Sequence, residues 1–81
     1  MARAEHLVIL DAVVLERYSE PLLREVGRHV WKREGWPQSA MNADHWRRFA
    51  AVCRGTMPAV DFPDGISARR LPRVVRIGPG A

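Results

Sequence analysis

Seven arginines in the second part of the chain carry its clearest chemical potential, because guanidinium groups bind phosphate oxygens through paired N–H donors. Four of them lie in the C-terminal stretch AVDFPDGISARRLPRVVRIG, which contains no acid between Ile66 and Ile77. The candidates for nucleic-acid contact are Arg69, Arg70, Arg73, Arg76, Arg47, Arg48 and Arg54. These residue types indicate contact with a polyanion rather than catalysis.

The charge is distributed unevenly along the 81 residues, which carry a formal net charge of +4. Through Trp46 the chain has 6 basic and 7 acidic residues, whereas from Arg47 onward it has 7 basic and 2 acidic residues, which gives that part +5. Nucleic acid is the commonest polyanion available to a cytoplasmic protein. The asymmetry therefore suggests a polyanionic partner such as nucleic acid, although many small basic domains bind none and present only a solvated positive surface.

Other residues that could carry chemistry have ordinary structural explanations. The three histidines, His6, His29 and His45, are not spaced as in zinc-binding motifs, and we expect them to be structural or surface residues. Asp61 and Asp64 flank a tight turn, where aspartate before glycine is preferred for backbone reasons. The sequence therefore predicts no catalytic residue and no metal site.

The cysteine, glycine and tryptophan residues also point to structure rather than to a cofactor. Cys53 is the single cysteine, so it cannot form an internal disulfide and is expected in the core. The glycines are scattered singly, in what we interpret as caps and turns, and form no phosphate-binding loop. Trp31 and Trp46 lie on apolar helical stripes and are expected in the core, whereas the position of Trp36 stays open. No cofactor is predicted for this chain.

The composition, 47% hydrophobic and 27% charged, is that of a globular domain. A chain this short forms at most one domain with a modest core. No apolar run approaches the roughly 20 residues that a membrane span requires, and the run at 7–10 is too short for a signal peptide. We expect a cytoplasmic protein without membrane contact.

Two helices are predicted from their capping residues. Ser19 precedes a helix to about Arg33, because Glu and Pro follow in its first turn, and Gly35 permits a left-handed end. Asn42 precedes a second helix over 43–54. The residues expected to face the core are Leu22, Leu23, Val26, Val30 and Trp31 in the first helix and Trp46, Phe49, Ala50 and Cys53 in the second.

The segment before these helices is less determined by its pattern. The apolar run at 7–10 is compatible with a short strand or with part of a buried helix, since periodicity does not separate the two. Asp11 can cap a short helix over 12–17, in which Ala12, Leu15 and Val14 are candidates for the inward face. Residues 1–6 are expected to be loose.

The arginine-rich stretch predicts an antiparallel meander of three strands, with turns at 63–65 and 71–73. Side chains alternate between the faces of a strand, so Arg69 should point away from the core side marked by Ile66. Arg76 should emerge on the solvent side, and Arg73 lies in the turn. Arg70, at the end of its strand, is expected to swing free.

These elements together predict an α+β fold of two or three short helices followed by a small antiparallel β-meander. The predicted organisation is a single domain over 7–78, with its helical part at 11–55, its meander at 59–78, and a tail at 79–81.

Two stretches of the chain resemble the region that follows the catalytic domain in tRNA(Ile)-lysidine synthetases. The first is Leu10-Asp11 with the later run LERYSEPLLREVGRHVWKREGWP, and the second is DFPDGISARRLPRVVRIGP. The family's usual proline near Tyr18 is displaced to Pro21, and Asp64 replaces the first of two glycines in its turn. The resemblance covers roughly residues 7–79.

The resemblance implies a function and partners that the residues alone do not. Enzymes of this bacterial family use ATP to attach lysine to the anticodon cytidine of an isoleucine tRNA. This chain has no positions that match their SGGxDS loop, so no catalytic residue is carried over. The resemblance implies a tRNA-binding accessory module, with ATP needed only by a separate catalytic domain that would be a second partner.

Two alternatives to this interpretation remain at the level of sequence. Helix, helix and basic hairpin also suit a winged-helix DNA-binding domain that inserts residues 43–54 in the major groove. A third hypothesis is an interdomain packing unit without RNA binding, in which exposed Val8, Ile9 and Trp36 dock onto a catalytic domain.

Overall fold

A four-stranded antiparallel sheet with helices packed on one face forms the fold in the computed structural model, which describes residues 7–80. The regular elements are β1 (Val8–Asp11), α1 (Ala12–Leu15), α2 (Glu20–Glu34), α3 (Ala43–Arg54), β2 (Ala59–Asp61), β3 (Ile66–Arg70) and β4 (Val74–Pro79). Short 3-10 turns cover Gln38–Ala40 and Pro63–Gly65. No helix in the described part of the chain is long and apolar enough to cross a membrane.

The strands follow the order β1-β4-β3-β2, and every neighbouring pair is antiparallel. The predicted α+β class and the meander of β2, β3 and β4 after the helices are confirmed. The apolar run at 7–10, which the sequence left open, contributes an edge strand that pairs with β4. The chain therefore closes back on itself, and its first described strand lies beside its last.

Side-chain caps set the helix limits that the sequence predicted. The Asp11 carboxylate accepts from the backbone N–H of Val13 at 2.9 Å, and Ser19 Oγ accepts from Leu22 N–H at 3.4 Å. Gly35 ends α2 with φ 76° in the left-handed region, which a residue with a β-carbon adopts at a cost. The short helix predicted over 12–17 is shorter in the structure, where α1 ends at Leu15.

The core is organised around the ring of Trp31, which is 1% exposed. Its ring contacts Trp36, Trp46 and Phe62 edge to face with centroid distances of 5.1, 5.3 and 5.3 Å. Phe49 completes the cluster at 5.9 Å. Trp36, whose position the sequence left open, therefore packs on the core and is only half-buried.

Three predicted positions in the helices are wrong. Leu22 is 46% exposed, and Val14 is 44% exposed, because each lies at the margin of its helix's apolar stripe. Gly27 lies in no cap or turn: it sits inside α2, where an added β-carbon would approach Phe49 Cδ2 to 2.9 Å. Glycine is therefore required there for the close approach of α2 and α3.

The C-terminal boundary also differs from the prediction. Pro79 belongs to β4 rather than to a tail, since it lies opposite Ile66 in the β3–β4 ladder. Gly78 is likewise a buried strand residue and not part of a turn. Residues 1–6 and Ala81 lie outside the described residues.

The core and cap assignments predict the relative effects of two substitutions on stability. Trp46→Ala removes a ring that is 6% exposed, and we expect a loss of about 3 to 5 kcal/mol in the free energy of unfolding. Gly35→Ala adds a β-carbon that meets no atom within 4 Å, so only the left-handed φ costs energy, about 1 kcal/mol. Urea denaturation followed by circular dichroism measures both, and a larger loss for Gly35→Ala would contradict these assignments.

Candidate nucleic-acid interface

The face of the sheet that the helices leave uncovered carries the two most favourably placed arginines. Arg69 in β3 lies directly opposite Arg76 in β4, and Ile9 and Ala59 extend the same row onto β1 and β2. Directly opposed residues of an antiparallel pair project from the same face. The prediction that Arg69 and Arg76 point away from the core is therefore confirmed, and Ile9 is an apolar neighbour that the sequence did not reveal.

The opposition of two guanidinium groups has an electrostatic consequence. Directly opposite Cβ atoms in a ladder lie about 4.5 to 5.5 Å apart, and like charges at this position destabilise the pair. Neither Arg69 nor Arg76 forms an ion pair within the described residues. An anion that accepts from both side chains would relieve this repulsion, so the pair is suited to a phosphate.

Arg73 and Arg54 lie at one end of the molecule. Arg73 is exposed in the turn between β3 and β4, and its carbonyl accepts the Ala12 N–H at 2.9 Å. Arg54 is exposed in the last turn of α3. This end of α3 lies near the β3–β4 turn, because the Arg70 side chain donates both to the Cys53 carbonyl in α3 and to the Leu71 carbonyl beside that turn. Neither Arg54 nor Arg73 has an ion-pair partner in residues 7–80.

The prediction that Arg70 swings free is wrong. Strand alternation directs it to the helix side, where its side chain is only 14% exposed. Its Nη1 donates to the Cys53 carbonyl at 2.8 Å, its Nε donates to the Leu71 carbonyl at 2.9 Å, and its Nη2 pairs with Glu16. The last carbonyls of a helix have no partner inside that helix. Arg70 therefore caps α3 and is not available to a ligand.

Arg47 and Arg48 are exposed but share one counter-ion. Both guanidinium groups pair with Asp44 in the first turn of α3, and Arg48 Nε lies 2.8 Å from Asp44 Oδ2. These arginines belong to the helix layer, whereas Arg69 and Arg76 project from the opposite side of the sheet. The structure therefore does not bring the predicted helix and meander arginines onto one surface.

The three histidines were the remaining candidates for chemistry. His45 forms a capping box with Asn42: His45 Nδ1 accepts the Asn42 N–H at 3.1 Å, and Asn42 Oδ1 accepts the His45 N–H at 2.9 Å. His29 is exposed, and His6 lies outside the described residues. Within residues 7–80 no group of three His, Cys, Asp or Glu side chains is placed to hold a metal ion.

Cys53 occupies the core, as predicted, and has no exposed surface. Burial raises the pKa of its thiol from 9.0 to about 12, and the nearby Arg70 charge offsets part of this effect. The thiol therefore stays protonated and unreactive over the physiological pH range.

Comparisons with protein families, with characterised proteins and with solved structures give no match to this chain.

The different environments of two adjacent arginines predict different effects on stability. Arg70→Met leaves the α3 carbonyls and Glu16 without their donor, and we expect a loss of about 2 to 3 kcal/mol, typical of hydrogen bonds to a charged group. Arg69→Met, the matched control, changes an exposed residue and should stay within about 0.5 kcal/mol. Denaturant midpoints of the two variants provide the measurement, and equal midpoints would contradict the capping role.

The buried thiol predicts protection from thiol reagents. In the native chain, Cys53 should react with a disulfide reagent such as DTNB only through unfolding, with little reaction at pH 8, whereas the chain in denaturant should react at once.

The raised pKa of Cys53 also predicts a pH effect on stability. The folded state keeps a thiol proton that the unfolded state loses above pH 9.0, so the free energy of unfolding should fall as pH rises from 9.0 towards 12. Rapid labelling of the native chain would contradict the burial. So would a wild-type stability that falls between pH 9.0 and 12 no more than the stability of the Cys53→Ala variant.

Proposed function

We propose that the chain is an RNA-binding accessory module that acts in the cytoplasm on a tRNA, as its resemblance to the region after the catalytic domain of tRNA(Ile)-lysidine synthetases suggests. Its role would be to hold the tRNA while a separate catalytic domain, which uses ATP, forms lysidine at the anticodon cytidine. The observation that carries the proposal is the pair of directly opposed, unpaired arginines, Arg69 and Arg76, on the open sheet face.

The distribution of ion pairs supports the open face over the helices as the contact surface. On α2, Arg24 pairs with Glu20, and Arg28 pairs with Glu25 at 2.6 Å. Asp44 similarly offsets the α3 arginines. The arginines without ion-pair partners in residues 7–80 that we assign to the tRNA are Arg69 and Arg76 on the open face and Arg73 in the adjoining β3–β4 turn. Arg54 also lacks an ion-pair partner in these residues, but it belongs to α3 in the helix layer and is not assigned to this surface.

The chemistry of this surface favours contact with the phosphate backbone. All six aromatic residues of the chain belong to the core or pack against it, so none is placed on the open face to stack on a base. Phosphate contacts position an RNA without reading its sequence. Such a module adds affinity and orientation, and selection of the cytidine would be left to the catalytic domain.

The competing proposals use other surfaces. A winged-helix domain would place α3 in the major groove, where Asp44 would meet phosphate, and Trp46 and Phe49 are committed to the core. An interdomain packing unit would use exposed apolar residues, and of the three proposed for it, Val8, Ile9 and Trp36, only Ile9 is largely exposed, at 54%. The packing hypothesis predicts association that does not depend on salt.

Salt-dependent binding of a tRNA(Ile) transcript tests the proposal. Replacing Arg69 and Arg76 together with alanine should weaken binding and lower the slope of log K against log salt by about 1 to 2, since each phosphate contact releases counterions. Fluorescence anisotropy at several salt concentrations measures both quantities. The matched control is Lys32→Ala with Arg33→Ala, which removes the same charge from exposed positions at the end of α2.

Two results would contradict the proposal. An unchanged affinity and slope in the Arg69 and Arg76 double variant would remove the open face from the binding surface. An equal loss in the Lys32 and Arg33 control would mean that only net charge matters. Binding of the intact chain that is insensitive to salt would favour the interdomain packing hypothesis.

A further inference from the structure

The two edges of the sheet differ in how well they are protected against another strand. The β2 edge has only three residues, and shortly after it comes Pro63, which cannot donate to a neighbouring strand. The β1 edge has four residues, Val8–Asp11, without proline or a basic residue. Among the described residues the β1 edge therefore lacks the proline and basic residues that commonly block pairing, and such an edge is suited to adding another strand.

The ladder shows which backbone groups the β1 edge presents. The Ala12 N–H donates to the Arg73 carbonyl, and bonded positions alternate along an antiparallel pair. Leu10 and Val8 are therefore bonded to β4, while the N–H and C=O of Ile9 point outward from the sheet. Within residues 7–80 no hydrogen bond satisfies these Ile9 groups.

Apolar side chains surround these outward groups. Ile9 is 54% exposed, and Val13 in α1 is 51% exposed. Both line an open groove whose other residues are Leu10, Asp11, Arg73 and Val74. A strand added beside β1 would cover this apolar surface while it satisfies the Ile9 backbone.

The charge around the groove determines which strand would fit. Arg73 lines the groove, and Arg76 lies directly opposite Ile9 in the β1–β4 ladder. Neither arginine has an ion-pair partner among the described residues. The acid in the groove, Asp11, already accepts from two N–H groups of α1. Two arginines, Arg73 and Arg76, against one acid, Asp11, leave the groove and its border with a net charge of +1 beside apolar surface.

We propose that the β1 edge binds an extended segment of a partner protein in which acidic and apolar residues alternate. The segment adds a fifth strand whose backbone pairs with Ile9. Its carboxylates lie on the open face beside Ile9, where they pair with Arg76, and its apolar side chains lie on the other face beside Leu10 and Val13. A second copy of this chain fits less well, because it would bring another set of unpaired arginines to the same edge. This binding does not depend on the proposed contact with tRNA.

A titration of the full, ¹⁵N-labelled chain with a synthetic peptide tests the proposal. The probe is acetyl-(Asp-Val)₃-amide, and its matched control is acetyl-(Lys-Val)₃-amide, which has the same apolar content and the opposite charge. We expect saturable shifts of the Ile9 and Asp11 amides with the aspartate peptide at millimolar concentration. The lysine peptide should bind at least about tenfold more weakly, equivalent to about 1.4 kcal/mol.

Variants of the chain locate the site. Ile9→Glu should weaken binding of the aspartate peptide at least about tenfold, equivalent to about 1.4 kcal/mol. The fold should stay intact because Ile9 is outside the core. Arg73→Glu serves as a second variant if Ile9→Glu fails to fold. Arg69→Ala should bind the peptide normally, since Arg69 does not line the groove.

Three outcomes would overturn the proposal. One is equal binding of the two peptides, which would leave no role for the arginines. Another is the absence of shifts at β1, or an equal loss of binding in Arg69→Ala. The third is a dimer in sedimentation experiments that Ile9→Glu dissociates, which would assign the edge to a second copy.

Discussion

The structure depends on a single constraint: side chains alternate between the two faces of a sheet, and helices cover only one of them. Ala68, Val75 and Ile77 point to the covered face and are fully buried against the helices. Arg69 and Arg76, which alternate with them, point to the face that the helices leave uncovered. The surfaces proposed to have a function here are that open face, with the adjoining β3–β4 turn, and the edge of the same sheet.

The alternation separates two neighbouring arginines into different roles. Arg70 turns to the helix side, where it joins the C-terminus of α3, the β3–β4 turn and the short α1 through three partners. Arg69, one residue earlier, faces solvent opposite Arg76 and has no such partner among the described residues. One arginine thus stabilises the sheet and helices as a unit, and the other presents charge on the surface of that unit.

The open face and the β1 edge share a border at Ile9 and Arg76, which lie side by side in the ladder. The open face offers two adjacent positive charges, Arg69 and Arg76, with no aromatic residue beside them, which suits a phosphate backbone. The edge offers unpaired backbone groups beside apolar side chains, which suits an extended peptide. Both proposals depend on arginines without ion-pair partners among the described residues. They differ because only the β1 edge adds unpaired backbone groups and exposed apolar side chains.

Much of the local structure was determined by the sequence. Ser19, Asn42 and Gly35 define helix ends through hydrogen bonds or backbone geometry within a few residues, so their effects could be predicted from spacing alone. The directions of Arg69 and Arg76 followed from the same kind of short-range rule, the period of two in a strand.

Only the tertiary structure decided the contacts between residues distant in sequence. The run at 7–10 became a strand because β4 pairs with it, and Arg70 became a cap because Cys53 and Glu16, 17 and 54 residues away, lie beside it. The requirement for Gly27 likewise arises from the ring of Phe49 on another helix. Such contacts depend on how the elements pack, and no local pattern in the sequence records that packing.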